Sequence, residues 1–258
     1  MLPASQLEVV RAGSGPPVVL VHGSVVGARR TWRHQLELAG RWSLVMPNRP
    51  GFGASPPLAR GDFEAEAPLV AELLGQGAHL VGHSYGAVIA LHAAALRPGS
   101  VRSLSVSEPG CLRVAAGDSL VDAQIERGDL LYGQARRLEP LDFLRAFRGG
   151  VGSTNETPGQ LQGELLDGAR LLMRERPPWE SDPPLDSLRR AGFPTLVISG
   201  GHSQVFETVC DALAASLAAR RAVVRGRGHT IPATGEPYNE LLDEFLGAAE
   251  GVAGEPVA

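Results

Sequence analysis

The chain has 258 residues, 43% of them apolar and 20% charged, which is the composition of an ordinary folded domain and excludes a disordered or fibrous chain. A net charge of −4 argues against nucleic acid as the main partner, and its 24 basic residues are all arginine. Two cysteines, Cys111 and Cys210, supply neither a disulfide framework nor a metal ligand set, so no metal is expected.

Short β-rich apolar runs alternate with Ala/Leu-rich stretches, the pattern of a parallel sheet with helices on both faces. Pro17–Val21 reads as a buried central strand, followed by a strand at 44–46 that Pro47 and a turn-rich segment close. A helix is predicted over 64–74, a strand over 79–81, a helix over 85–96 ended by Pro98-Gly99, and a strand over 101–106. From 110 to 190 the strand rhythm stops. Helices over 118–127, 140–147 and 160–175, separated by Gly/Pro-rich breaks, read as a helical insertion. Alternation then resumes with a strand over 194–198, a helix over 206–218, a strand over 222–224 and a helix over 236–249; residues 250–258 read as frayed. No apolar run is long enough to span a bilayer. The N-terminus lacks a basic segment followed by an apolar one, so a cytoplasmic protein without membrane contact is expected. No GxGxxG follows a strand, and no nucleotide cofactor is expected.

Gly82-His83-Ser84-Tyr85-Gly86 fits G-x-S-x-G between a predicted strand and a predicted helix. A serine in so tight a turn needs neighbours two residues away that are nearly free of side chain, and the following helix N-terminus favours anions. A serine hydroxyl also needs a base. Of seven histidines, His83 and His92 ride on the nucleophile's own elements, His34 and His79 read as structural or surface, and His202 is a weak competitor. His229 lies in the late, glycine-flanked loop Arg225-Gly-Arg-Gly-His-Thr-Ile-Pro232 and fits the order in which the serine comes before the histidine.

With these residues the chain resembles the α/β-hydrolase superfamily over nearly its whole length. His22-Gly23 is similar to that family's oxyanion loop, Asn48-Arg-Pro-Gly-Phe-Gly-Ala-Ser55 to its turn after the next strand, and Gly228-His229 to its histidine loop. The resemblance implies an α/β fold, a mostly parallel sheet flanked by helices, with core at 1–109 and 191–258. The insertion at 110–190 falls where members carry a helical cap. It further implies that His22 supports the oxyanion loop. The oxyanion donors would be the backbone amides of Ser24 and Tyr85, with Val25 less favoured than Ser24 and a possible neighbour of the substrate.

The common family position for the acid, after the strand at 194–198, is occupied by Ser203 in Ser199-Gly-Gly-His-Ser-Gln204, and a serine cannot stabilise an imidazolium. The strand at 101–106 ends in Ser107-Glu108-Pro109, beside the nucleophile's strand, and Glu108 falls 24 positions after Ser84. That spacing resembles the branch containing the fungal lactonase that opens zearalenone. A triad of Ser84, His229 and Glu108 is therefore expected, with Glu207 and Asp211 as fallback acids inside the following helix.

Phe143, Phe147, Leu171 and Met173 read as cap core. Trp179, in Arg176-Pro-Pro-Trp-Glu180, is similar in place to a substrate-contacting tryptophan of the lactonase branch. Cys111 reads as structural. The expected activity is hydrolysis of a small-molecule carboxylic ester or lactone through an acyl-enzyme. Thioester or carbon–carbon bond hydrolysis, or a receptor-like member with weak catalysis, remain open alternatives.

Overall fold

The computed structural model describes residues 2–253. Seven strands, β1 (Val9–Ala12), β2 (Pro17–Val21), β3 (Ser43–Pro47), β4 (Ala78–His83), β5 (Val101–Ser107), β6 (Thr195–Ser199) and β7 (Arg220–Val223), form one sheet in the order β1-β3-β2-β4-β5-β6-β7. Only β1 runs antiparallel. The helices are α1 (Ala28–Thr31), α2 (Phe63–Leu73), α3 (Tyr85–Leu96), α4 (Ser119–Gly133), α5 (Pro140–Gly150), α6 (Gly163–Leu172), α7 (Leu185–Ala191), α8 (Gln204–Leu217) and α9 (Glu236–Ala253). This is the α/β-hydrolase architecture, as expected. No helix among the described residues is long and apolar enough to cross a membrane.

Successive side chains of a strand point to opposite faces, and the central strands are apolar on both. Val19, Val21 and Leu80 pack with α2, α3 and α8. Val18, Leu20 and Val81 face Trp32, Trp42 and the α9 residues Tyr238, Leu242 and Phe245. The helix α3 is buried nearly all round, which its Ala-rich, uncharged composition permits.

Two features position the site. After β3 the chain passes beyond β2 to form β4, so consecutive connections leave β2 in opposite directions and open a crevice at the carboxyl ends of β2 and β4. His83 then pairs with Ser107 in parallel register, so β4 and β5 end side by side.

The boundaries differ from the sequence expectations at informative places. β1 was not foreseen: it is a four-residue edge strand whose alternation is weak. α4 runs six residues further than expected, through Gly128, where a side chain would collide with the Trp179 ring. α6 is shorter than 160–175 and stops before Glu175. α7 falls within the expected insertion, yet Leu188 packs in the core with residues of α3 and α8. Residues 250–253 continue α9, and the rest of the stretch expected to fray lies outside the described residues.

Candidate active site

Ser84 caps α3 with φ 55° and ψ −120°, a strained backbone of the kind that costs on the order of 1–3 kcal/mol and clusters at functional sites. The strain is held by tight packing: a side chain on Gly82 would come within 2.6 Å of Ala87 Cα, and one on Gly86 would strike the carbonyls of Val21 and His22. The turn lifts the hydroxyl above the sheet edge at the positive end of α3.

His229 lies in the loop after β7. Its Nε2 is 2.9 Å from Ser84 Oγ, and its Nδ1 is 3.0 Å from Glu108 Oε2. Glu108 follows β5 directly, has φ 47°, and is fully buried. Its other oxygen, Oε1, accepts the Gly200 N–H at 2.6 Å. His83 donates from Nε2 to the His229 carbonyl at 2.8 Å, tying the loop to the end of β4. Burial pushes the Glu108 carboxyl up, against the pull of the Gly200 N–H, and burial also holds the His229 imidazole below its ordinary value, toward the neutral form a base requires. The sheet therefore brings Ser84, His229 and Glu108 into one hydrogen-bonded line.

A family model described as Alpha/beta hydrolase family matches residues 18–244. The chain belongs to this family. It is 34% identical to a pimeloyl-[acyl-carrier protein] methyl ester esterase of Chromobacterium violaceum over 64% of this chain and 66% of that protein. To the enzyme of the same name from Methylococcus capsulatus it is 37% identical over 40% of this chain and 44% of that protein. The chain thus matches just under two thirds of the first relative's length and under half of the second's. Among solved structures, an alpha/beta hydrolase from Sphaerobacter thermophilus DSM 20745 superposes with a TM-score of 0.67 at 26% identity, covering 95% of this chain and 98% of that one.

The fallback acids lie elsewhere. Glu207 accepts the Gly201 N–H and pairs with Arg221, and Asp211 also pairs with Arg221. Ser203 precedes α8 without capping it. The His202 Nδ1 lies 3.7 Å from Glu108 Oε1, while its Nε2 donates to the Val151 carbonyl. His79 is buried against Ser103, and His92 bonds Ser181. Cys111 is fully buried, and burial pushes its thiol up to about 12, which suits a structural residue. Among the described residues no three His, Cys, Asp or Glu side chains gather as a metal site.

A cavity of about 530 Å³ opens onto the site, lined by Ser24, Val25, Ser84, Phe147 and His229, with Arg30, Arg33 and Arg148 also in its wall. A smaller one of about 30 Å³ is lined by Ser24, Ser84, Tyr85, Tyr132, Trp179 and Phe206. Ser24, Tyr85, Val25 and Trp179 thus all border space next to Ser84. Phe143 is buried in a cluster with Val25, Leu144 and Leu172, Met173 packs against that cluster, and Leu171 lies beside Arg49 on another surface.

Sequence reading did not single out Tyr132, whose buried hydroxyl has no partner among the described residues. Nor did it single out Arg49, Glu66 and Glu175, whose charged groups meet beside the Gly23–Ser24 peptide.

Proposed function

We propose that the chain is a serine esterase that cleaves a carboxylic ester, lactones included, through an acyl-enzyme. The observation that carries this reading is the line Ser84 Oγ, His229 Nε2, His229 Nδ1, Glu108 Oε2, with separations of 2.9 and 3.0 Å. His229 takes the hydroxyl proton as Ser84 Oγ bonds to the ester carbon, and the buried Glu108 carboxylate stabilises the imidazolium. The amides of Ser24 and Tyr85 donate to the oxyanion, each worth on the order of 10²–10³ in rate. Collapse breaks the carbon–oxygen bond, and His229 returns the proton to the departing alcohol. Water then repeats the cycle on the acyl-enzyme. The esterase names of the relatives are in keeping with this chemistry.

The cavity wall argues for charge on the substrate. Arg30, Arg33 and Arg148 line it against one carboxylate, Glu156. Arg148 is half-buried, and burial together with the neighbouring Arg30 lowers its guanidinium below the usual range. An anionic group at the far end of the substrate relieves that repulsion.

The deciding experiment pairs p-nitrophenyl ester turnover with fluorophosphonate labelling. Wild-type protein is labelled at Ser84 and turns over, and Ser84→Ala loses both. Labelling without multiple turnover on any ester, lactone or thioester would favour the receptor-like alternative.

A further inference from the structure

The carbonyl of Gly23 and the amide N–H of Ser24 belong to one planar peptide unit and point in opposite directions, so whatever holds the carbonyl aims the N–H. Two groups hold it. Arg49 Nη1 donates to Gly23 O at 3.0 Å, and His22 Nδ1 donates to the same oxygen at 2.7 Å. The Arg49 amide donates to His22 Nε2 at 3.0 Å, which fixes the tautomer with its proton on Nδ1. Arg49 therefore acts on this peptide twice, through its guanidinium and through its backbone.

The guanidinium is itself clamped. Nε and Nη2 donate to both Glu66 oxygens at 2.8 and 3.1 Å, and Nη2 also reaches Glu175 Oε1 at 2.8 Å. Glu175 Oε2 in turn accepts the Ser24 hydroxyl at 2.5 Å. All three charged side chains are buried. The Arg49 Cζ sits 4.2 Å from the centroid of the Tyr85 ring, so one cation touches both the Gly23–Ser24 peptide and the side chain of the residue after Ser84. A buried ion triad is a weak source of stability, because desolvation offsets most of the Coulomb attraction. Its location suggests another use.

Resting on the proposed ester hydrolysis, we infer that Arg49 is a positioning residue that aims and polarises the Ser24 amide as an oxyanion donor, and that Glu175 aims Arg49. A cationic donor on the peptide oxygen draws electron density from the nitrogen and makes its N–H a stronger donor, as chains of hydrogen bonds polarise one another. The interaction matters more as negative charge develops on the carbonyl oxygen, so it acts in the transition state rather than on substrate binding. Glu175 comes from the segment between β5 and β6, so the seating of that segment on the core is felt by the oxyanion peptide.

The test uses Arg49→Lys, which keeps the charge but cannot span both glutamates and the carbonyl. The expected result is kcat lower by about 10- to 100-fold with KM within about twofold. In parallel, an aryl trifluoromethyl ketone bound to Ser84 should titrate at higher pH in the variant, read by NMR of its hemiketal carbon. Glu175→Ala is the second variant and should shift the same two readouts. Glu175→Gln, which keeps an acceptor for Ser24, should recover most of the loss. Folded variants with unchanged kcat, or with the whole loss in KM and an unshifted hemiketal, would overturn the inference. If Arg49→Lys does not fold, the two Glu175 variants decide by the same criteria. Wild-type protein that turns over no ester overturns the proposed function itself, whereas active wild-type protein with indifferent variants overturns only the role of Arg49.

Discussion

The backbone amide of Ser84 donates to the carbonyl of Ser107 at 2.9 Å, so the turn carrying the hydroxyl is bonded directly to the residue before Glu108. The sheet, rather than a loop, sets how far the nucleophile lies from the carboxylate. Glu108→Gln keeps one oxygen for the Gly200 N–H, but it removes the charge and turns an NH2 donor toward His229 Nδ1, which disfavours the tautomer the base needs. Turnover of a p-nitrophenyl ester should fall by about 10³- to 10⁴-fold with KM little changed, the size of loss seen when a triad acid becomes an amide. A drop of less than tenfold would remove Glu108 from the triad.

The closeness of Glu108 to Ser84 could be read from the sequence because it depends on local facts: where two short strands end, and that parallel neighbours end together. Arg49 and Glu175 could not. They are 126 positions apart, one in a turn after β3 and one just past α6, and helical periodicity made Glu175 look like an ordinary last-turn residue. Gly128 read as a break because glycine disfavours helix. Packing against Trp179 reverses that preference, and no periodicity reveals such a partner. β1 escaped for the opposite reason: half-exposed at the sheet edge, it needs little apolar patterning.

The arginines of the large cavity predict selectivity by charge. Monomethyl adipate should be preferred over dimethyl adipate in kcat/KM by roughly 5- to 10-fold at low salt, and the preference should shrink as ionic strength rises. Arg148→Gln should abolish most of it while leaving dimethyl adipate turnover nearly unchanged. Equal rates for the two esters in wild-type protein would show that the cavity does not use its charge.

Trp179 is buried, donates from Nε1 to Asp129 Oδ1 at 2.8 Å, and meets the Tyr132 ring edge-on with centroids 5.3 Å apart. Removing it deletes a large part of the wall between α4 and the nucleophile. Trp179→Ala should lower unfolding stability by about 3–5 kcal/mol in urea titration. Trp179→Phe should keep more of the stability yet still raise KM for aryl esters, because the indole borders the small cavity beside Ser84.

Stability should fall on mild acidification. Burial holds His22 down to about 3 and His83 and His79 down to about 4, and it lowers His229 as well, so all four stay neutral in the folded chain near pH 5.5. Unfolded, each takes up a proton below about 6.5. Glu108, raised to about 7, works the other way, because the folded chain holds its proton where the unfolded chain has released it, and the upward push of burial on Glu175 acts in the same direction. His92 is lowered by burial too, so the depressed imidazoles outnumber the raised carboxyls and the unfolded state binds at least about two more protons. Between roughly pH 5 and 6 the unfolding free energy should therefore drop by about 3 kcal/mol per pH unit on acidification. Urea midpoints at half-unit steps measure this slope. His83→Gln, whose amide can still donate to the His229 carbonyl, should reduce it by about one proton's worth. A slope that is flat across this window, or that rises toward acid, would mean that these imidazoles are charged in the folded protein.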